Sequence, residues 1–168
     1  AKNLDPAYWN NTSPSSSVFT LGTGTDLNEN TKSYIAYLFA EKDGFSRIGK
    51  YTGNGSADGP FVWTGFKPAF VMIKQVDSAG DWRINDNKRN SVQPGANPSN
   101  RGLAPNSTVA EYGELYDFIS NGFKIRGGGG ENAAGGTYIY VAFAEVPFKY
   151  STAAESAGGA VFFLGMSF

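Results

Sequence analysis

The chain contains no histidine and no cysteine, and each absence removes a class of chemistry. Histidine is the commonest general base near neutral pH and the commonest transition-metal ligand, so Ser-His-Asp, Cys-His and His-zinc sites are excluded. Catalysis would have to rest on a carboxylate pair, as in glycoside hydrolysis, or on a lysine or tyrosine acting as base. Without cysteine there is no thiol chemistry, and folding needs no oxidising compartment. Neither sign of charge is in excess: 14 basic and 15 acidic residues are interspersed along 168 positions and leave a formal net charge of -1. With no basic stripe to neutralise a phosphate backbone, nucleic acid is not an expected partner. No apolar run reaches the roughly 18 residues that a bilayer-spanning helix needs, so no membrane insertion is expected.

Glycine and aromatic side chains are abundant instead. The 22 Gly and 8 Pro break helices, while 13 Phe, 9 Tyr and 3 Trp favour strands, and an all-β fold follows. The chain also repeats itself. Residues 19–41 lie without a gap over residues 123–145 at a spacing of 104, with 8 identities in 23 positions, where chance would give about one or two. Asn28/Asn132, Tyr34/Tyr138, Phe39/Phe143 and Glu41/Glu145 are among the matching pairs. One supersecondary unit is therefore used twice. The second copy is preceded by most of a module and the first is not, so the expected architecture is a tandem of β-sandwich, jelly-roll-like modules with an incomplete first copy. Residues 1–44 are read as the C-terminal half of a first module and 45–150 as a complete second one. Residues 151–168 form an Ala/Ser/Gly connector followed by an apolar terminal strand, which should pair with its own domain or with a neighbouring chain. Such a chain is expected to belong to an assembly, as a homo-oligomer or with other proteins.

Several strands are legible. Residues 34–41 and 138–145 are apolar on both faces, as in central strands covered from each side. A strand is expected at 18–21, and the Gly- and Asn-rich segments 22–32 and 127–136 suit hairpin connections. Residues 60–64 and 69–76 read as strands. Residues 81–86 alternate, with Trp82 and Ile84 on an inward face and Asp81, Arg83 and Asn85 on an outward one. Ser120-Asn121-Gly122 separates two short strands in the pattern of a hairpin. Residues 87–117 show no sustained period, contain three prolines, and are longer than ordinary connections, so they form an elaborated loop.

Segments that imitate ligand loops fail on inspection. Gly127-Gly128-Gly129-Gly130 and Gly53-Asn54-Gly55 lack the lysine and the following helix of a phosphate loop. Asp26-Leu27-Asn28-Glu29-Asn30 begins like a calcium loop, yet Thr31 stands where the sharp turn needs glycine, and Tyr37 where the bidentate glutamate belongs. No cofactor and no metal ligand set are expected. What remains is a surface of aromatic and amide residues, the usual chemistry of a sugar site. Trp63 and Trp82 fit inward alternation and read as core. In and beside the long loop, Asn87, Lys88, Arg89, Arg101, Tyr112 and Tyr116 are the candidate ligand-binding residues, because long loops on rigid scaffolds tend to carry binding.

The run FSRIGKYTGNGSADGPFVWTGFKPAFVMIK at 45–74, then Gly80-Asp81-Trp82 and Ser120-Asn121-Gly122-Phe123-Lys124-Ile125, resembles the repeated β module of bacteriophage tail-fibre and related virion structural proteins of the marine-phage type. YWNNTSP at 8–14 followed by SVFTLG at 17–22 resembles the latter half of a preceding module. The resemblance covers residues 8 to 150 and carries no catalytic residues. It implies a non-enzymatic virion protein on the phage particle surface or tail, in contact with other virion proteins or copies of itself and able to attach to host surface glycans. A carbohydrate-binding module of a secreted bacterial enzyme and a polysaccharide depolymerase are the alternatives.

Overall fold

Strands form where apolar and β-branched residues recur between Gly- and Asn-rich turns. The computed structural model describes residues 6–90, 93, 95–147 and 162–165. Two units are distinct: residues 1–41 with 155–168, and residues 42–154.

The first unit holds two short helical turns, α1 (Pro6–Trp9) and α2 (Thr25–Asn28), and strand β1 (Ala36–Phe39). β1 pairs antiparallel with β10 (Phe162–Gly165), from Ala36↔Gly165 to Phe39↔Phe162. Residues 162–165 of the apolar terminal segment supply this strand, and the rest of residues 151–168 lies outside the described residues. Residues 18–21 form no strand, and 22–32 make a helical turn instead of a simple hairpin connection. The local reason is a set of hydrogen bonds: the Asn28 amide donates to the Gly22 carbonyl (2.9 Å), the Glu29 N–H to the Tyr34 hydroxyl (3.0 Å), and that hydroxyl to the Thr25 carbonyl (2.8 Å). β1 is not the doubly covered strand that its composition suggests, since Tyr37 and Leu38, on its opposite faces, are 48% and 56% exposed.

The second unit carries the remaining eight strands described. β2 (Ser46–Thr52), β4 (Pro68–Gln75), β5 (Arg83–Asp86), β6 (Gly102–Leu103) and β9 (Thr137–Ala144) form an antiparallel sheet in the order β2-β9-β4-β5-β6. β3 (Phe61–Trp63), β7 (Tyr116–Ile119) and β8 (Gly122–Ile125) form a second antiparallel sheet in the order β3-β8-β7. Most of the chain is thus all-β. β9 justifies its two-sided apolarity. On one face Val141 lies between Ile48 and Met72 in register, all three buried, and on the other Tyr138, Tyr140 and Ala142 face the core. The β7–β8 hairpin turns through Ser120 and Asn121 as its sequence predicts, pairing Ile119 with Gly122. Residues 127–136 are no hairpin: they carry the chain from β8 in one sheet to β9 in the other. β2 had no clear strand signature, because Arg47, Gly49 and Lys50 interrupt its apolar positions.

One hydrophobic cluster draws on both sheets of this unit, with Tyr51, Val71, Ile73 and Tyr140 from the larger and Val62, Phe118, Phe123 and Ile125 from the smaller. Phe123 sits at the junction. Its ring meets Tyr51 edge-on at 6.4 Å and Tyr140 edge-on at 5.4 Å, geometries that suit the aromatic quadrupole. Tyr51 and Tyr138 stack at 4.9 Å. The fully buried Phe123 should therefore dominate stability. Phe123→Ala is expected to lower the unfolding free energy by about 3–5 kcal/mol in urea denaturation, and a loss below about 1 kcal/mol would disprove its bridging role.

Candidate functional site

The long connection after β5 is held by its own polar side chains. Asp86 accepts the backbone N–H groups of Lys88 and Arg89, each at 2.8 Å, and its other oxygen accepts Arg89 Nε at 3.1 Å. That turn aims the Arg89 guanidinium at Glu111, whose Oε1 lies 3.2 Å from Arg89 Nη1 while its Oε2 lies 3.9 Å from Arg101 Nε. Glu111 thus brings Arg89 and Arg101 together from positions twelve residues apart in the chain. These hydrogen bonds raise the Arg89 pKa further, Glu111 contributing most. Ala69, Asp86, Lys88 and Arg89 line a shallow surface depression with Asn87. Asn87 itself is buried, and its amide donates to Glu145 Oε1 at 2.7 Å. Lys88 is exposed. The loop also protects a sheet edge, since the Asn97 amide both accepts from the Phe118 N–H and donates to the Phe118 carbonyl, each at 2.9 Å.

The two tyrosines of the candidate set go elsewhere. Tyr116 opens β7 instead of lying in the loop, and it has no exposed surface, so its ring is closed to a ligand arriving from solvent. Tyr112 is half-buried beneath Arg83, whose guanidinium carbon lies 5.3 Å from its ring centroid.

Around Arg83 lies a cluster that sequence reasoning missed. The alternation of 81–86 places Arg83 and Asn85 outward. In the structure Asn85 is buried, and Arg83 Nη1 contacts Glu114 Oε1 and lies 3.6 Å from Glu131 Oε2. Both glutamates are buried. A guanidinium held between two carboxylates compensates only one of their charges. Burial accordingly pushes the Glu131 carboxyl above the usual carboxylate range, with Arg83 opposing it. Oxygens of Asn85, Tyr112, Glu114, Tyr116 and Glu131 in this region are buried without a hydrogen-bond partner among the described residues. The one legible signal was the four-glycine run ahead of Glu131. A Cβ at Gly130 would stand 2.6 Å from Arg83 Nη2, so the run lets backbone pass against the guanidinium.

Beside it, Asn132 joins two turns. Its carbonyl oxygen accepts the Asn54 N–H at 2.8 Å, and its amide donates to the Ser56 and Gly127 carbonyls at 2.7 and 2.8 Å. The Ala133 N–H donates to the Tyr138 hydroxyl at 2.9 Å, which donates to the Gly130 carbonyl at 3.0 Å.

The whole of residues 1–147 matches the family model described as Domain of unknown function (DUF7483). The chain belongs to this family. Curated proteins and solved structures gave no match. The DUF7483 domain here therefore has to be read from its own chemistry, and three features stand out: the Glu111-bridged arginines, the buried Arg83 cluster, and an exposed aromatic strand. That strand is β3. Trp63, expected in the core, is 53% exposed, because β3 places Val62 inward and both its neighbours outward. Trp82 is half-buried and precedes β5.

The raised Glu131 pKa has a sign. The folded chain binds this proton more tightly than the unfolded one, so stability from this group is greatest at low pH and falls as pH rises from the ordinary carboxylate range through the raised value. Glu131→Gln removes the ionisation. Its urea midpoint relative to wild type should rise as pH increases through the ordinary carboxylate range and level off above the raised value; a pH-independent difference would show that Glu131 ionises as it does unfolded.

Proposed function

We propose that the chain is a non-enzymatic bacteriophage virion structural protein, a tail-fibre or capsid-surface fibre module that acts in assembly. On this reading its modules are jelly-roll-like β-sandwiches repeated in tandem. The sharing of one core by the β2-β9-β4-β5-β6 and β3-β8-β7 sheets favours the sandwich.

The observation that carries the reading is one local structure in two surroundings. Tyr34 and Tyr138 are paired by the 104-residue spacing, and so are Glu29 and Ala133. In each copy the second residue's N–H donates to the tyrosine hydroxyl, which donates to a carbonyl of the preceding turn. Asn28 and Asn132 each donate to a glycine carbonyl five or six positions earlier. Yet Tyr138 is fully buried, and its strand β9 has a partner on each side. Tyr34 is 40% exposed, and among the described residues β1 pairs with β10 alone. The same turn-and-strand unit is thus built once inside a finished sheet and once against solvent.

Val18, Leu21, Ile35, Tyr37 and Leu38 are exposed in the same short unit. Fully burying such a side chain is worth about 1.5–3 kcal/mol, so covering these half-exposed ones contributes roughly half of that each, and exposed apolar side chains gathered in one short unit mark an interaction site. A second copy of the chain, or another virion protein, is the natural cover. The buried carboxylates Glu114 and Glu131 sit behind Arg83, out of reach of a polysaccharide, which favours a structural part over a depolymerase.

Sedimentation of the purified chain at micromolar concentration should show an oligomer. Ile35→Asp combined with Leu38→Asp should release monomer while leaving the unfolding of residues 42–147 unchanged. Because the chain lacks cysteine, Ile35→Cys offers a clean cross-linking site at the same surface. A stable, non-aggregating wild-type monomer would sink the assembly reading, and absence of the chain from purified particles by mass spectrometry would sink its placement in a virion.

A further inference from the structure

The β3-β8-β7 sheet has one face in the core and one in solvent, and the register assigns every side chain to one of them. Val62, Phe123 and Phe118 are aligned inward. Outward, Phe61 aligns with Lys124 and Asp117, and Trp63 with Gly122 and Ile119. Directly opposed residues of antiparallel strands share a face, so these six form one outer surface.

The two aromatic rings on this surface lie against backbone. A Cβ at Gly122 would stand 2.7 Å from Phe61 Cε2 and 2.9 Å from Cζ, and a Cβ at Gly65 would stand 3.2 Å from Trp63 Cζ2. Each ring therefore rests on a glycine. Covering Gly122 accounts for where Phe61 lies, but not for the surface it leaves bare, which is 46% of the residue. The Arg47 guanidinium lies over the Trp63 ring, its carbon 5.0 Å from the centroid, so a sugar that stacks on this ring meets it beside the guanidinium. At the other end, Lys124 Nζ lies 2.6 Å from Asp58 Oδ1, and Arg126 Nε lies 2.7 Å from Asp117 Oδ2.

We propose that this outer face is a glycan-binding platform, on which sugar rings of an extended polysaccharide stack on Phe61 and Trp63 while their hydroxyls bond to Arg47, Lys124 and Asp58. Two observations select this ligand. The rings are two residues apart on one strand, about 7 Å, so successive sugars of a chain can address both. The rim offers donors and acceptors together, which matches hydroxyl groups and not a row of phosphates. The platform involves no residue of the first unit, so it stands whether or not the assembly reading does.

The test is an array of immobilised neutral and acidic polysaccharides probed with the full chain, followed by titration of the retained polysaccharide. Binding is expected, with affinity falling roughly ten-fold or more in Trp63→Ala and in Phe61→Ala, and held within about three-fold in Trp63→Phe, which keeps a ring. Urea midpoints of all three variants establish that they are folded, and Phe61→Ala decides the matter if Trp63→Ala is not. No retention of any polysaccharide overturns the proposal. So does binding that survives both alanine substitutions, or binding abolished by Arg89→Ala and untouched by Phe61→Ala.

Discussion

The second unit depends on aromatic rings meeting between two sheets, and above all on Phe123. A phenyl ring with no exposed surface, contacting Tyr51 and Tyr140 edge-on, joins β8 to β2 and β9. Three tyrosines, Tyr51, Tyr116 and Tyr140, meet its ring, and a buried hydroxyl is costly unless it finds a partner. Those partners organise the connections. Tyr51 donates to the Glu131 carbonyl at 2.7 Å, Tyr138 to that of Gly130, and Tyr140 to that of Trp63 at 3.3 Å. The segment between β8 and β9 lacks regular structure but is pinned, because Tyr51 and Tyr138 beneath it donate hydrogen bonds to its carbonyls.

The same segment delivers Glu131 to Arg83. A buried ion pair is weak evidence for stability, since desolvation offsets the Coulomb attraction, and two carboxylates on one guanidinium leave a charge over. What the cluster does is tie β5, the loop before β7 and the β8–β9 connection to one point. Its members come from three distant stretches of chain, so each constrains where the others can go.

The proposed assembly role and the proposed glycan platform draw on different parts of the molecule. Assembly rests on apolar side chains around β1 that nothing in the described residues covers. The platform rests on a finished sheet whose outer face carries two rings on glycine floors. A repetitive surface fibre would need both a means of joining copies and a surface presented outwards, and the two features do not compete for the same residues.

Much of this was legible from residues. The lack of histidine and cysteine, the glycine and aromatic content, and the two-sided apolarity of 138–145 determined an all-β chain without thiol or imidazole chemistry. The hairpin at Ser120-Asn121 was readable because turn chemistry is local. The eight matches between 19–41 and 123–145 indicated a unit used twice, though the turns were expected as hairpins and not as the tyrosine-centred turns found. Tertiary structure decided the rest. The like composition of 34–41 and 138–145 could not show that one strand is enclosed and the other bare, since burial depends on which neighbours arrive. Alternation in 81–86 identified two faces but not which was inner, and the partners that turned Arg83 inward, Glu114 and Glu131, lie 31 and 48 positions away. Trp63 was read as core for the same reason. A large apolar ring and a core position coincide often, and only the placement of Val62 against Phe123 decided that Trp63 faces water. Of the loop candidates, Arg89 and Arg101 were brought together by Glu111, while Tyr112 and Tyr116 were claimed by the interior, because a chain without period carries no local signal of which side chains its folded path will cover.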